Sequence, residues 1–103
     1  MFGNMMDNMK SAKESLQKEL SGQRIQLADS EKSVEVIVSG TRQIVDIKIL
    51  KEDIDKEQLE DLLIVLINEA LGKAALLEAE LTEKSLKEML PPGLDSLNNL
   101  FNK

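Results

Sequence analysis

A long helical repeat between Asp55 and Leu90 constrains this chain more than any other feature of its sequence. Small or apolar residues recur there at three- and four-residue steps, which is the spacing of one helical face. They are Leu59, Leu63, Leu66, Ala70, Ala74, Leu77 and Leu81. Asp55 with Gln58 forms a capping-box pattern at the start, and Pro91-Pro92 ends the repeat because proline cannot continue a helix. The sequence therefore predicts a helix of about 35 residues, roughly 50 Å long.

Part of this predicted helix has no polar face. Every residue from Leu62 to Ile67 is apolar, and a helix that is apolar all round is buried on every side. One small sheet and one further helix cover only part of such a surface, so a second copy of the chain is the economical way to cover the rest. We therefore predict a two-fold homodimer formed through this helix and neighbouring sheet edges. The residues predicted at the interface are Leu62, Val65, Leu66 and Ile67.

Residues 23–51 follow a period of two instead. Ile25 and Leu27 alternate with polar neighbours, and β-branched residues alternate with others in the runs 34–38 and 45–49. Short polar turns separate these runs. The pattern predicts a three-stranded antiparallel meander, and one face of such a sheet is apolar and must be covered.

The first 22 residues return to helical spacing. Apolar residues recur on one face, and Gly22 lies where a helix would stop. The face consists of Phe2, Met5, Met6, Met9, Ala12, Leu16 and Leu20. Methionine at the start of the face favours adaptable packing or a partner surface, while packing against the core is the more ordinary interpretation. The predicted fold class is α+β in the order α-β-β-β-α, in one domain of residues 1–103: a helical arm (1–22), the sheet (23–51), the long helix (55–90) and a C-terminal tail (91–103).

The composition excludes several function classes. The chain has no His, Cys, Trp or Tyr, so it lacks an imidazole base, a thiol nucleophile and a Cys or His metal site. Phe2 and Phe101 are its only aromatic residues, which argues against a single-strand reader that stacks bases on aromatic platforms. The carboxylates of Glu60-Asp61 have no further ligands at a spacing that suits a divalent ion, and no phosphate-binding glycine loop is present. We therefore expect a protein that is not an enzyme and that uses no metal or cofactor.

The chain carries a net charge of −6, and its acid is concentrated in one region. Residues 52–90 contain eleven carboxylates and four lysines, whereas the rest of the chain is close to neutral. Many of these carboxylates fall where the long helix begins, and there they complement the positive end of the helix dipole. The acidic total argues against strong unspecific adhesion to DNA but permits a local surface that binds anions. With no signal-like N-terminus and no apolar run near the roughly 20 residues that span a bilayer, we expect a cytoplasmic protein without a membrane segment.

Six basic residues are candidates for such an anion-binding surface. Three lysines lie on the first predicted helix at different angles, so they do not form a single stripe. The other three basic residues lie at strand entries and turns, where their heads would reach phosphates. Solubility is the simpler interpretation of all six, although a two-fold dimer doubles each of them. In chain order they are Lys10, Lys13, Lys18, Arg24, Lys32 and Arg42.

The order of short motifs along the chain resembles the YbaB/EbfC family of bacterial nucleoid-associated proteins. The motifs are the opening Met1-Phe2-Gly3-Asn4-Met5-Met6 with Met9-Lys10, the strand Val34-Glu35-Val36-Ile37-Val38-Ser39-Gly40, the strand Val45-Asp46-Ile47-Lys48-Ile49, the helix motif Leu59-Glu60-Asp61-Leu62 with Asn68-Glu69-Ala70, and Leu90-Pro91-Pro92-Gly93-Leu94. The chain departs from the family in two places. Its first predicted helix is about two turns shorter, and Ser30-Glu31-Lys32-Ser33 stands where the family tends to have glycines.

The resemblance implies a function. Members of the family are small, tweezer-like homodimers that bind double-stranded DNA in the nucleoid and affect nucleoid organisation and gene expression. By that analogy the projecting helices grip the duplex, so that Lys10, Lys13 and Lys18 are the first candidate DNA contacts and Arg24 and Arg42 the second, a choice made on charge. An alternative of another class is a scaffolding dimer that docks a recombination or replication factor, such as a DNA-repair protein, through its methionine-rich first helix.

Overall fold

The computed structural model describes residues 2–89, and side chains from 6 to 88, and it has the predicted α+β order. Helix α1 (Phe2–Gly22) is followed by strands β1 (Arg24–Ala28), β2 (Val34–Ser39) and β3 (Ile44–Ile49) and by helix α2 (Lys56–Met89). The predicted order α-β-β-β-α is thus confirmed. The predicted tail of residues 91–103 lies outside the described residues.

The three strands form one antiparallel sheet in the order β1-β2-β3, as the period-two pattern predicted. Val34, Val36 and Val38 of the central strand are fully buried. Ile25 and Leu27 of β1 lie opposite Val38 and Val36 and pack against the same core. Residues that face one another across strands point to the same side of a sheet, so these five side chains form the apolar face.

The turn between β1 and β2 forms without the glycines that the family tends to have there. A carboxylate oxygen of Asp29 accepts hydrogen bonds from the backbone N–H groups of Ser33 (2.7 Å) and Val34 (2.8 Å). Lys32 takes the left-handed conformation there, with a φ of 56°, which a glycine would adopt at lower cost. The side chain of Asp29 therefore stabilises a turn in which a lysine occupies a glycine-like position.

Helix α2 lies across β1 and β2 with the stripe that the sequence predicted. Leu66, Ala70 and Ala74 are buried in the core, and Leu59 and Leu63 are half-buried beside them. The start of α2 is capped as predicted. The carbonyl oxygen of Asp55 accepts a hydrogen bond from the N–H of Leu59 (2.9 Å), and its carboxylate lies 3.4 Å from the N–H of Gln58.

Helix α1 is attached to the rest of the chain through its C-terminal half. Leu20 is buried, and Ala12 and Leu16 are half-buried. Met6 and Met9, which belong to the same predicted stripe, are 71% and 61% exposed. The core-packing interpretation therefore holds for Ala12, Leu16 and Leu20 and is wrong for Met6 and Met9, while the side chains of residues 2–5 lie outside the described ones.

Strand β3 is the uncovered part of the sheet, since all six of its residues are exposed. Ile44, Ile47 and Ile49 lie opposite the three buried valines of β2, and their exposed fractions are between 40% and 54%. The alternation predicted for residues 45–49 is broken at its start. A register shift makes Ile44, rather than Val45, the partner of Val38, as in a β-bulge, which adds one residue to a strand.

Candidate nucleic-acid interface

The three lysines of α1 are the exposed cations of the helical arm. Lys10, Lys13 and Lys18 form no ion pair with the described residues. Lys10 and Lys13 both line a groove between α1 and α2, and Lys18 lies outside it. Lys10 and Lys13 are neighbours on the helix surface because they are three residues apart, and packing of α1 places both of them beside α2, which the helical angles alone did not show.

This α1–α2 groove has an apolar floor beneath the two lysines. It encloses about 380 Å³, at the lower end of the volumes typical of ligand-binding clefts. The described residues that line it contribute two cations and no carboxylate. They are Met9, Lys10, Ala12, Lys13 and Leu16 of α1 with Thr82, Ser85 and Leu86 of α2.

Arg24 has a structural task at the junction of α1 and β1. One guanidinium nitrogen, Nη1, donates hydrogen bonds to the carbonyl oxygens of Ser21 (2.7 Å) and Gln23 (2.9 Å). The last carbonyls of a helix have no partner within the helix, so this cation satisfies one of them and complements the negative end of the dipole. In the described structure Arg24 therefore contacts backbone rather than presenting a free head.

Arg42 is also engaged within the chain. It occupies the turn between β2 and β3 with a φ of 64°, and its Nε lies 3.3 Å from a carboxylate oxygen of Glu78 on α2. Both side chains are partly exposed, so the pair is a surface ion pair of modest strength. Arg42 and Glu78 are far apart in the sequence, and no local pattern indicated that they meet.

The acidic run at the start of α2 lies far from the α1 lysines. Helix α1 packs near Leu81 and Ser85 of α2, whereas the run ends at Asp61. The distance from Asp61 to Ser85 along the helix is roughly 36 Å at 1.5 Å per residue. The Debye length is about 8 Å at physiological ionic strength. The carboxylates of this run therefore lie beyond the screening distance of the α1 lysines, whereas Glu78, Glu80, Glu83 and Glu88 lie on the end of α2 that α1 approaches.

The chain matches a family model and several curated relatives. The model described as the YbaB/EbfC DNA-binding family matches residues 1–89. The chain belongs to this family. The resemblance carried by its motifs is thereby confirmed, and with it the assignment to nucleoid-associated, DNA-binding proteins.

Three relatives of this YbaB/EbfC chain are named nucleoid-associated proteins. That of Clostridium kluyveri is 37% identical over 81 residues, which cover 70% of this chain and 71% of the relative. That of Geobacillus sp. is 41% identical over 64 residues, which cover 59% of each. That of Thermodesulfovibrio yellowstonii is 39% identical over 74 residues, which cover 68% of this chain and 64% of the relative.

A crystal structure of an uncharacterised Helicobacter pylori protein shares the fold of this YbaB/EbfC chain. The two superpose with a TM-score of 0.75 over 82% of this chain and 92% of that protein, at 21% identity. The names of the family and of the relatives describe DNA-binding and nucleoid association rather than an enzyme family. Among residues 2–89, neither helix combines the length and the apolar character needed to cross a bilayer.

The residues predicted at the dimer interface of this YbaB/EbfC chain separate into three environments. Leu66 is only 4% exposed and belongs to the core of the protomer. Leu62 and Ile67 are half-buried against that core, and Val65 is 61% exposed. One side of the apolar stretch 62–67 therefore packs against the sheet of its own protomer, and only the other side remains available to a second copy.

The open side of β3 is an apolar surface that the sequence pattern alone did not reveal. Ile44, Ile47 and Ile49 continue the apolar face of the sheet beyond the area that α2 covers. The alternation of Ile47 and Ile49 was visible in the sequence, whereas Ile44 joins this face through the register shift. What the sequence did not show is that one helix packs across only two of three strands, because that depends on where the helix crosses the sheet.

Proposed function

We propose that this chain is a non-enzymatic nucleoid-associated protein that binds double-stranded DNA as a two-fold homodimer in the cytoplasm and affects nucleoid organisation and gene expression. One observation carries the DNA part of the proposal. Lys10 and Lys13 are exposed on the helical arm, lie beside one another on the α1–α2 groove, and form no ion pair with the described residues.

The chemistry of these two residues favours contacts to phosphate. A lysine ammonium is a compact point charge on a flexible stem, and contacts to phosphate carry no sequence information directly. Lys18 lies on the same helix and adds a further cation outside the groove. We therefore expect DNA binding that depends weakly on sequence and strongly on salt, because bound counterions are released when phosphates are neutralised.

The homodimer is supported by the apolar surfaces that the protomer leaves open. The open side of β3 and the exposed side chain of Val65 on α2 are apolar surfaces in a small protein. An uncovered strand at a sheet edge is a template for pairing with another chain. A two-fold dimer would also present four groove lysines to one duplex rather than two.

The DNA proposal is tested by titrating a labelled duplex of 20 base pairs and following fluorescence anisotropy at several salt concentrations. The slope of log affinity against log salt is expected to be near 0.9 for each phosphate neutralised. The variant Lys10→Ala/Lys13→Ala should bind more weakly with a smaller slope. Lys73→Ala, an exposed lysine of α2 outside the groove, serves as the control, and equal slopes for both variants would remove the two lysines from the DNA site.

The dimer proposal needs a variant that spares the core of the protomer. A charge at Leu66 would unfold the chain whether or not it dimerises, since this side chain is buried within the protomer. Val65→Asp and Ile47→Asp place a charge on exposed apolar residues instead. At least one of the two variants should be a monomer by light scattering and have the circular dichroism spectrum of the parent. The control variant Met6→Asp on α1 should remain a dimer. Dimers from both test variants would show that the interface lies elsewhere.

The alternative, docking of a recombination or replication factor through the first helix, is favoured by the exposure of Met9 on α1. Met9→Ser separates this function from the first one, because the substitution removes an apolar contact and changes no charge beside Lys10 and Lys13. Loss of the protein partner with retained DNA binding would assign docking as the function of this helix.

A further inference from the structure

We propose that the α1–α2 groove is a docking site for an acidic, leucine-rich amphipathic helix of another protein, and that this helix competes with DNA for Lys10 and Lys13. The docking site is inferred from the lining and charge of the groove and does not require that the chain binds DNA. The competition rests on the proposed function, because it requires that the same two lysines contact DNA.

The floor of the groove points to a partner with apolar side chains. Met9 and Leu86 are large apolar residues exposed on facing helices, and Ala12 and Leu16 continue the floor between them. DNA phosphates gain nothing from such a floor, whereas leucine side chains are removed from water on it. Methionine adapts its shape to different partners, which suits a site that accepts a helix.

The rim of the groove selects an acidic partner. Two lysines and no carboxylate belong to the described lining. The groove on the other side of the α1–α2 contact differs, because Glu19 and Glu88 line it together with the single cation Lys84. Complementary charge gives specificity and suppresses wrong partners. An acidic helix is therefore attracted to the lysine-lined groove and repelled by the opposite one.

The shape of the groove suits a helix as its occupant. The site is a partly open groove of about 380 Å³ between two packed helices, and amphipathic helices bind grooves of this kind with apolar residues at positions i, i+3, i+4 and i+7. A second copy of this chain is a poorer occupant. Two described segments of this chain are both acidic and leucine-rich. In the segment that begins α2, Leu59 and Leu63 already pack against their own sheet, and the other segment, residues 76–88, itself forms the α2 wall of the groove through Thr82, Ser85 and Leu86.

The experiment uses the full chain and a fluorescein-labelled synthetic helix of about 16 residues, with leucines at positions i, i+3, i+4 and i+7 and glutamates between them. Anisotropy titration at low salt should show saturable binding. A peptide of the same pattern with lysine in place of glutamate should bind at least about tenfold more weakly, because the two lysines of the rim repel it. Equal binding of both peptides, or binding of neither, would overturn the docking site.

Matched variants locate the site. Met9→Ser should weaken binding of the acidic peptide about tenfold, since it removes a large apolar side chain from the floor. Met6→Ser, on the same helix but outside the groove lining, should stay within about twofold. Lys10→Gln/Lys13→Gln should likewise weaken binding about tenfold, and Lys84→Gln on the opposite groove should not. Equal losses for test and control variants would place the peptide elsewhere.

Two further readouts separate the parts of the proposal. Unlabelled duplex DNA should displace the bound peptide. If the duplex binds the chain but does not displace the peptide, the competition is overturned, and with it the DNA role of the two lysines. The docking site itself would stand. Light scattering should give the same mass for Met9→Ser as for the parent chain. A changed mass would assign the groove to a second copy and overturn the proposal.

Discussion

The close approach of α1 to the turn after β2 yields a prediction with an internal control. Gly40 is buried, and a Cβ atom added to it would lie 2.6 Å from the backbone carbonyl oxygen of Leu20 and 3.2 Å from its carbonyl carbon. Such contacts cannot be relieved by rotating a side chain, so Gly40→Ala must displace the end of α1. Overpacking of this kind costs about 1–3 kcal/mol, and we expect the free energy of unfolding to fall by about that amount.

The same substitution at Gly72 provides the contrast. A Cβ atom there would meet nothing within 4 Å in the described structure, and Gly72 lies inside α2, where alanine is favoured over glycine by roughly 1 kcal/mol. Gly72→Ala should therefore stabilise the protomer while Gly40→Ala destabilises it. If Gly72 is a point of close backbone approach between two copies, its variant instead weakens the dimer.

Urea denaturation followed by circular dichroism measures both effects. Wild type and variants are compared at one protein concentration, because the stability of a dimer depends on concentration. A thermal scan gives a second measure, because 1 kcal/mol corresponds to roughly 4–8 °C in melting temperature for a chain of this size. The melting temperatures of the two variants should therefore differ clearly. A Gly40→Ala chain within about 0.5 kcal/mol of the parent would refute the argument that this glycine is required by the contact with Leu20.

Three further predictions follow from single contacts. The hydrogen bonds from the N–H groups of Val34 and Ser33 hold the pKa of the Asp29 carboxyl below its ordinary value of 3.8. A carboxyl whose pKa is lowered in the folded state stabilises the fold fully above the ordinary value, and this stabilisation is lost as the pH falls through the lowered folded-state pKa. Asp29→Asn should therefore be less stable than the parent in urea at pH 7, and the difference should shrink as the pH falls below about 4. A difference that stays constant as the pH is lowered would contradict this. Glu78→Gln should release Arg42 and raise duplex affinity about two- to fivefold in anisotropy titrations, within the range of a surface ion pair, while an unchanged affinity would show that Arg42 stays clear of the DNA. Arg24→Ala should lower the melting temperature by a few degrees, because Arg24 donates to the Ser21 carbonyl at the end of α1 and to the Gln23 carbonyl just after it, and a cation at a helix C-terminus contributes about 0.3–1 kcal/mol. An unchanged melting temperature would show that these contacts contribute nothing.

The sequence predicted those parts of the fold that depend on local periodicity. The stripe of α2 and the valines of β2 were predicted correctly because a period of 3.6 or 2 fixes which residues share a face. The cap at Asp55 was predicted because a side-chain acceptor at that position satisfies a free N–H group of the first turn. Each of these features involves residues within a few positions of one another.

The features that the sequence did not predict depend on contacts between distant segments. The pairing of Arg42 with Glu78 and the placing of α2 beside Lys10 and Lys13 are set by how α1, α2 and the sheet pack. The burial of Leu66 within the protomer, rather than between two copies, is of the same kind. Periodicity assigns a residue to a face of its own element, but it does not say which neighbour covers that face.

Two apolar surfaces of the protomer differ in the charges beside them, and this difference assigns them different partners. The open side of β3 displays isoleucines that continue the protomer's own core face, so its natural complement is another apolar surface, as in a second copy. The α1–α2 groove combines an apolar floor with two lysines. Of the two acidic, leucine-rich segments that a second copy would offer, the start of α2 is packed on its own sheet and residues 76–88 form the wall of the same groove. Ile47→Asp should therefore abolish the dimer and leave binding of the acidic peptide to each protomer intact, whereas Met9→Asp should do the reverse. Loss of both properties in either variant would mean that the two surfaces form a single interface.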